Sequence, residues 1–572
     1  MKLVQVVFFS LLILTGWPAI SATDEPVKPY PLEYFALRDV ISNVLISPDG
    51  ERLALMTIPT RDGNPIIEVY DASNLEAEPF RLNADPMEIT GFYWVSNTNI
   101  VFTLRQKVRD RIKGFNQGVY DTRLALLDVE SEEIETFDEL NATISHLLPN
   151  EPDKIILSFN PGSEVSSKIA EAFRPRAYYE FDLKRGSKKL LIRGKVDVAQ
   201  IEFDGQGNPW VARGFDPGKG EFIWYYRPPG GSGWTEIHRM DENSFEQFSI
   251  VGLDDAKAGN ILVIANNGND KAGLWSFNTS TKELEELIYR RSDVDVAGIR
   301  MHSNDWTDPD KVAGVAYQKG ATHIEYFDEI EAATYQQLEG LVPYAHGVRI
   351  TSRSRNGQTL TVYNSGPRDP GTYYLIKDGE FLKIGSKRPL IDGENLADVR
   401  YITYKARDGI NIPAFITVPH GEPPFPTVVM PHGGPFVSET VGYDEWGQVL
   451  ANNGYLVLQP QYRGSTGYGM DFYTMAFRES GQGGYKMQDD KDDGVLYLIE
   501  EGLADKDRVA MYGWSYGGYA ALVAASRTPQ LYQCVIAGAA VSDPLMQVNY
   551  YRDQLRGASR DEQLNMWDDS IS

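Results

Sequence analysis

Cysteine is almost absent from this 572-residue sequence: Cys534 stands alone, so no intramolecular disulfide can form. It lies in the apolar run Gln533-Cys-Val-Ile-Ala-Gly538, which predicts a buried, inert thiol and leaves stability to the size of the core. Positive charge is scarce as well. Lys and Arg number 55 against 80 Asp and Glu, a formal net charge of −25 with a pI near 4.8. No basic cluster reverses that balance locally, which excludes nucleic acid and anionic membrane surfaces as partners. Long apolar runs are missing too. The N-terminal run, Val6 to Leu14, is far shorter than the ~20 residues that span a bilayer. With Lys2 before it and Ile20-Ser21-Ala22 after it, residues 1–22 read as a secretory signal peptide. Export to the periplasm or the extracellular space is expected. An uncleaved anchor is the alternative, and a lipoprotein is excluded because no cysteine lies near the cleavage site. Nothing in the residues speaks to oligomeric state.

What is abundant is β-pattern. After a lead-in over 23–39, of helical composition and expected to pack outside the β region, residues 40–392 run as short alternating or apolar stretches between Gly, Asn, Asp and Pro clusters. A polar turn leading into an apolar strand recurs about every fifty residues, a propeller-like period. Examples are Ser47-Pro-Asp-Gly-Glu-Arg-Leu-Ala-Leu55, Pro152-Asp-Lys-Ile-Ile-Leu157 and Asn356-Gly-Gln-Thr-Leu-Thr-Val362. Aromatic strands such as Ala177-Tyr-Tyr-Glu-Phe-Asp182 and Leu274-Trp-Ser-Phe-Asn278 follow them. Counting pairs gives about seven units, a seven-bladed propeller of four-stranded blades; tandem β-sandwiches would not repeat so evenly. A helix over Asp328 to Gly340 interrupts the pattern between the sixth and seventh units. Its Asp328, Glu329 and Glu331 are expected on an exposed face rather than as an anchor for a peptide amine.

Over 393–572 the pattern shifts to an α/β domain. Val399–Tyr404 and Ile412–Val418 flank Arg407-Asp408-Gly409, a hairpin signal. Strands then alternate with helices: Trp446–Asn453 helical, Tyr455–Leu458 strand, Asp489–Glu501 helical, Val509–Tyr512 strand. That alternation implies a parallel sheet covered on both faces. The acidic run Asp489, Asp490, Asp492, Asp493 is expected to favour a helix N-terminus and solvate one helix face, with Val495, Leu498 and Ile499 inward, rather than to hold a metal. No motif calls for a cofactor.

One string carries chemistry. Gly513-Trp-Ser515-Tyr-Gly517 lies between an apolar strand and the helical Ala520–Ser526. A strand turning directly into a helix strains the turning residue and brings the residues two before and two after so close that a Cβ would collide. Ser515 is then lifted into solvent beside the N–H of Tyr516, a nucleophile elbow. The alternative is a glycine-rich turn with a capping serine. Upstream, the strand Thr427–Met430 opens into Pro431-His432-Gly433-Gly434-Pro435, a loop of the kind that supplies a second oxyanion donor.

His432-Gly433-Gly434-Pro435, Tyr462-Arg-Gly-Ser-Thr-Gly-Tyr-Gly469, Gly484-Tyr-Lys-Met-Gln-Asp-Asp490 and Gly513-Trp-Ser-Tyr-Gly-Gly-Tyr519 together resemble the catalytic domain of the prolyl oligopeptidase family of serine peptidases, in its acylaminoacyl-peptidase and dipeptidyl-aminopeptidase-like branch. The resemblance implies hydrolysis of short peptides through an acyl-enzyme at Ser515. It assigns the oxyanion donors to Tyr516 N–H and Gly434 N–H, and gives His432 the shaping of the loop rather than the role of base. It also implies a propeller set over the active site. The family's later aspartate and histidine have no counterpart here, since no histidine follows Ser515. The expectation is a hydrolase domain lacking its C-terminal part, inactive as given. An esterase or other acyl hydrolase, or a propeller binding module with an inert hydrolase part, are the alternatives.

Overall fold

The computed structural model describes residues 28–110, 118–159, 176–195, 197–477 and 481–554. The signal-peptide reading of residues 1–22 lies outside them. Residues 41–386 form seven antiparallel sheets arranged as successive blades, spanning 41–82, 88–140, 143–193, 200–241, 248–289, 296–326 and 349–386. Six have four strands. The sixth has three among the described residues and is followed by a helix, α2 (Glu329–Leu341), where the sequence places one. The first strand of blade one lies against the first strands of blades two and seven. Ile46 N–H donates to Ser352 Oγ at 2.7 Å and Arg355 N–H donates to Pro48 O at 2.7 Å, so the ring closes on hydrogen bonds and packing between blades one and seven. All four strands of blade seven come from 349–386.

The repeated turn has a repeated cause. In Ser47-Pro-Asp-Gly50 the Ser47 hydroxyl donates to Asp49 and accepts from Arg52 N–H. In Ser354-Arg-Asn-Gly357 the Ser354 hydroxyl does the same with Asn356 and Thr359 N–H. Gly50 and Gly357 close these turns at φ 82° and 75°, a region glycine enters without a Cβ penalty.

Beyond Asp398 a six-stranded mixed sheet forms from β1 (Asp398–Lys405), β2 (Asn411–Val418), β3 (Phe425–Val429), β4 (Leu456–Pro460), β5 (Ala504–Trp514) and β6 (Cys534–Gly538), in the order β1-β2-β4-β3-β5-β6. β1 and β2 are the predicted hairpin, and β4, β3, β5 and β6 run parallel. The helices are α3 (Glu445–Asn452), α4 (Met470–Thr474), α5 (Lys486–Glu500), α6 (Tyr516–Ser526) and α7 (Pro544–Gln554). Ile412, Ile416, Val429, Leu458, Val495, Leu498 and Met511 fill the core between sheet and helices. The lead-in makes only a short helix, α1 (Leu32–Ala36), which packs on α3 of the hydrolase side through Phe35 and Val449.

Three expectations are corrected. The acidic run of α5 does not solvate a face: Asp490 is 0% exposed, and Asp492 and Asp493 are buried as well. Asp490 receives Arg463 in a bidentate pair, Asp493 receives Arg407, and Asp492 receives Lys491 and the Tyr532 hydroxyl. The charges can lie inside because each has a partner aimed at it. Cys534 is exposed, not buried, since it opens β6, paired on one side only with β5. Glu331 is buried rather than displayed on α2, its carboxylate accepting Ser303 N–H and the Ser303 hydroxyl.

Candidate active site

β5 runs straight into α6 through Ser515, at φ 57° and ψ −119°. For a residue with a Cβ that backbone costs about 1–3 kcal/mol, which the surrounding structure must offset. It does so by closeness. Ser515 N–H is tied to Gly538 O of β6 at 3.0 Å. A Cβ on Gly513 would stand 2.0 Å from Gly517 O, as the sequence argument requires. A Cβ on Gly517 would stand 2.2 Å from Pro431 O, so the second glycine lets the elbow meet the Pro431–Pro435 loop. Ser515 itself is half-buried. Tyr516 N–H is the first of the helix N–H groups without an intrahelical acceptor. The Tyr516 ring turns inward, its hydroxyl donating to Gly483 O at 2.9 Å.

Gly433 abuts Ser515: a Cβ there would lie 3.4 Å from Ser515 Cβ and 3.9 Å from Oγ. Gly434 follows at φ 112° on the exposed side. His432 is 6% exposed and stacked on Tyr462, with ring centroids 4.2 Å apart. Its Nδ1 lies 2.7 Å from Gly433 O and its Nε2 lies 3.0 Å from Ser465 Oγ. The Ser465 hydroxyl donates to Tyr462 O at 2.7 Å, and the Tyr462 hydroxyl lies 2.9 Å from Nδ1 and donates to His432 O at 2.8 Å, so both ring nitrogens have polar partners. Burial drives the imidazole pKa down to about 4, so it is neutral near pH 7. With both nitrogens engaged by the loop, His432 holds that loop and is not placed to deprotonate Ser515. None of the seven histidines, all of them among the described residues, hydrogen-bonds Ser515.

A cleft of about 420 Å³ lies beside the elbow, bounded by His432, Gly433, Glu439, Gly513 and Trp514. Glu439 also borders a second cleft, of about 540 Å³, between the hydrolase and Arg213, Phe222, Trp224 and Asp295 of the propeller. Burial, with Asp444 nearby, raises the Glu439 carboxyl above its ordinary range. Among the described residues no group of three or more His, Cys, Asp or Glu is disposed to hold a metal. Sequence reasoning quoted Tyr462-Arg-Gly-Ser465 without giving its members roles. Its spacing of aromatic, charge and hydroxyl was the available signal, because Tyr462 and Ser465 brace His432 while Arg463 anchors to Asp490.

Residues 443–570 match the profile of the prolyl oligopeptidase family, Peptidase S9. Dipeptidyl aminopeptidase BIII of Pseudoxanthomonas mexicana is 25% identical over 516 residues, 86% of this chain and 69% of that protein. Dipeptidyl peptidase family member 6 of Caenorhabditis elegans is 27% identical over 392 residues, 62% of this chain and 51% of that protein. The chain thus spans about half to two thirds of the length of these relatives. Prolyl oligopeptidase B from Galerina marginata superposes with a TM-score of 0.63 at 12% identity, over 92% of this chain and 76% of that one, which shows a shared fold. A serine elbow facing a glycine loop, in an α/β sheet preceded by seven blades, thus carries over residues 443–570 the profile of the prolyl oligopeptidase family of serine peptidases.

Proposed function

We propose that Ser515 is the nucleophile of a peptidase acting on short peptides, forming an acyl-enzyme that water then hydrolyses. The observation that carries this is the strained Ser515 backbone with Gly433 packed against it. Tyr516 N–H and Gly434 N–H are the oxyanion donors in this reading; each such donor is worth about 10²–10³ in turnover. His432 and Gly433 shape the loop, and Gly513 and Gly517 permit the elbow. The propeller, meeting the hydrolase across a cleft of about 540 Å³, restricts substrates to short or unfolded chains. The two relatives carry dipeptidyl-peptidase names, which supports short peptides as substrates.

Acyl transfer also needs a base and a carboxylate to orient it. None of the seven histidines hydrogen-bonds Ser515, so in this reading residues 1–572 hold no base for it. Residues 1–572 alone should be inert. The test is hydrolysis of short chromogenic peptides, with fluorophosphonate labelling, by residues 1–572, by a longer chain extended to carry a downstream aspartate and histidine, and by Ser515→Ala in the longer chain. Turnover in the longer chain alone, abolished by Ser515→Ala, is expected. Ser515-dependent turnover by residues 1–572 would overturn the assignment of the base, and turnover that survives Ser515→Ala would overturn the nucleophile. Export is part of the same proposal, motivated by residues 1–22, and its check is the mass of the mature chain.

A further inference from the structure

The propeller is fastened to the hydrolase at a point two steps from the nucleophile. Five consecutive residues of the segment after Ser465 each make one backbone hydrogen bond to the loops of blades five and six. Asp295 N–H donates to Gly467 O at 2.9 Å, and Lys271 Nζ to Tyr468 O at 2.6 Å. Gly469 N–H donates to Asp295 Oδ2 at 2.9 Å, Met470 N–H to Asp270 O at 2.8 Å, and Asp471 N–H to Asp270 Oδ1 at 2.6 Å. The other Asp295 oxygen accepts Ala272 N–H at 2.8 Å, which fixes the carboxylate to blade five. The fit is close: a Cβ on Gly469 would stand 2.3 Å from Lys271 Nζ.

The same segment grips the glycine loop at its other end. Ser465 Oγ meets His432 Nε2 at 3.0 Å, Tyr462 Oη donates to His432 O, and Thr466 N–H donates to Val437 O at 3.3 Å. His432 in turn holds Gly433, whose backbone abuts Ser515. A second path runs through aromatic rings. Phe245, between blades four and five, lies 5.1 Å from Phe477, which stacks at 4.9 Å on Phe436, next to Pro435. Both paths start on the propeller and end on the His432–Val437 loop.

We infer that Asp270, Lys271 and Asp295 are positioning residues for the peptidase reaction: the propeller sets the geometry of the oxyanion loop through residues 462–471, besides covering the cleft. The inference rests on the assignment of that loop to oxyanion binding. None of the three touches the reacting atoms. Their effect is to hold an N–H donor in place, and misplacing a reacting group by about 1 Å can cost about 10²-fold in rate.

Two arms test it. In the active full-length enzyme, Asp295→Ala should lower kcat about tenfold or more with KM within about twofold, the signature of an interaction made in the transition state. Asp295→Asn, which keeps one acceptor oxygen, should fall between. Lys271→Met, which keeps the aliphatic stem, gives an independent variant should Asp295→Ala fail to fold. Val263→Ala, in the core of blade five, serves as a control that destabilises the propeller without touching the clamp and should leave kcat unchanged. In the second arm, amide exchange on residues 1–572 needs no turnover. Asp295→Ala or Lys271→Met should speed exchange at 432–437 and 462–466 as well as at 467–471. Faster exchange confined to 467–471, or a wild-type kcat in both clamp variants, would overturn the inference. A wild-type enzyme without Ser515-dependent turnover would sink the peptidase reading, while the exchange arm would still decide the clamp.

Discussion

Arg463→Met separates the cost of burying a charge from the benefit of pairing it. Arg463 is 3% exposed and Asp490 is 0% exposed. The guanidinium and the backbone N–H of Arg463 both donate to Asp490, from 2.6 to 3.1 Å. A second carboxylate, Asp408, takes the outer edge of the guanidinium at 2.8 Å. Removing the arginine leaves Asp490 in the core with one backbone donor and, at a pH where it is ionised, an unpaired charge, a change that typically costs about 3–5 kcal/mol. Asp408 is about a third exposed, so its loss of a partner adds little. For a domain the size of the hydrolase, each kcal/mol lowers Tm by about 2–4 °C, so its calorimetric transition should fall by about 6–20 °C. Arg463→Met with Asp490→Leu removes the orphaned charge as well and should recover to within about 1 kcal/mol of wild type.

The pH dependence supplies a second handle. Burial raises the Asp490 carboxyl to about 6 even against the opposing pull of Arg463. Without Arg463 the folded-state pKa rises further, so the folded chain binds this proton more tightly than the unfolded one does. Its contribution is therefore intact at low pH and is lost as pH rises through the folded pKa. The stability deficit of Arg463→Met should be smaller at pH 5 than at pH 8. A deficit under about 1 kcal/mol at pH 8, or a double variant no better than the single one, would refute the reasoning that pairing alone keeps Asp490 in the core.

Gly513→Ala should destabilise the hydrolase by about 3 kcal/mol or more in urea unfolding, because its Cβ would meet backbone at 2.0 Å; wild-type stability would mean the elbow is not this tight. His432 is held near 4 by burial, below its unfolded value of 6.5, so the unfolded chain binds more protons between those values. Stability should fall by about 3 kcal/mol as pH drops through that window, and His432→Gln should flatten the dependence. A profile unchanged by His432→Gln would show that the ring is not desolvated. Protein recovered from outside the cytoplasm should have an intact mass starting near Thr23, and recovery with Met1 to Ala22 attached would count against a cleaved signal.

What could be read from the residues alone were features whose cause is local. The glycines around Ser515 are demanded by a strand turning into a helix, so their spacing announces the clash that the structure contains at Gly513. The blade count follows from a turn whose serine and Asx side chains cap their own backbone, chemistry complete within six residues. The helix at Glu329 is announced by Asp328, whose carboxylate accepts Ile330 and Glu331 N–H. The sixth blade keeps its place in the count with three strands, because turn and first strands alone mark the period.

What could not be read had its cause at a distance. Asp490 and Arg463 are 27 positions apart, and Asp493 and Arg407 are 86 apart, so no window of sequence shows that each acid has a partner. Seen alone, an acidic run on a helix is cheapest in water, and that reading stands until the partner is known. Cys534 failed for the same reason in reverse: an apolar run says strand, but only the sheet order says that nothing described lies on its far side. The clamp on 467–471 combines both kinds. Gly467 and Gly469 advertise unusual backbone locally, while the carboxylate and ammonium that require it lie nearly 200 residues earlier, on another domain. A glycine loop in a hydrolase therefore reports only that a close approach exists. Which surface approaches is settled by contacts that no stretch of the chain contains by itself.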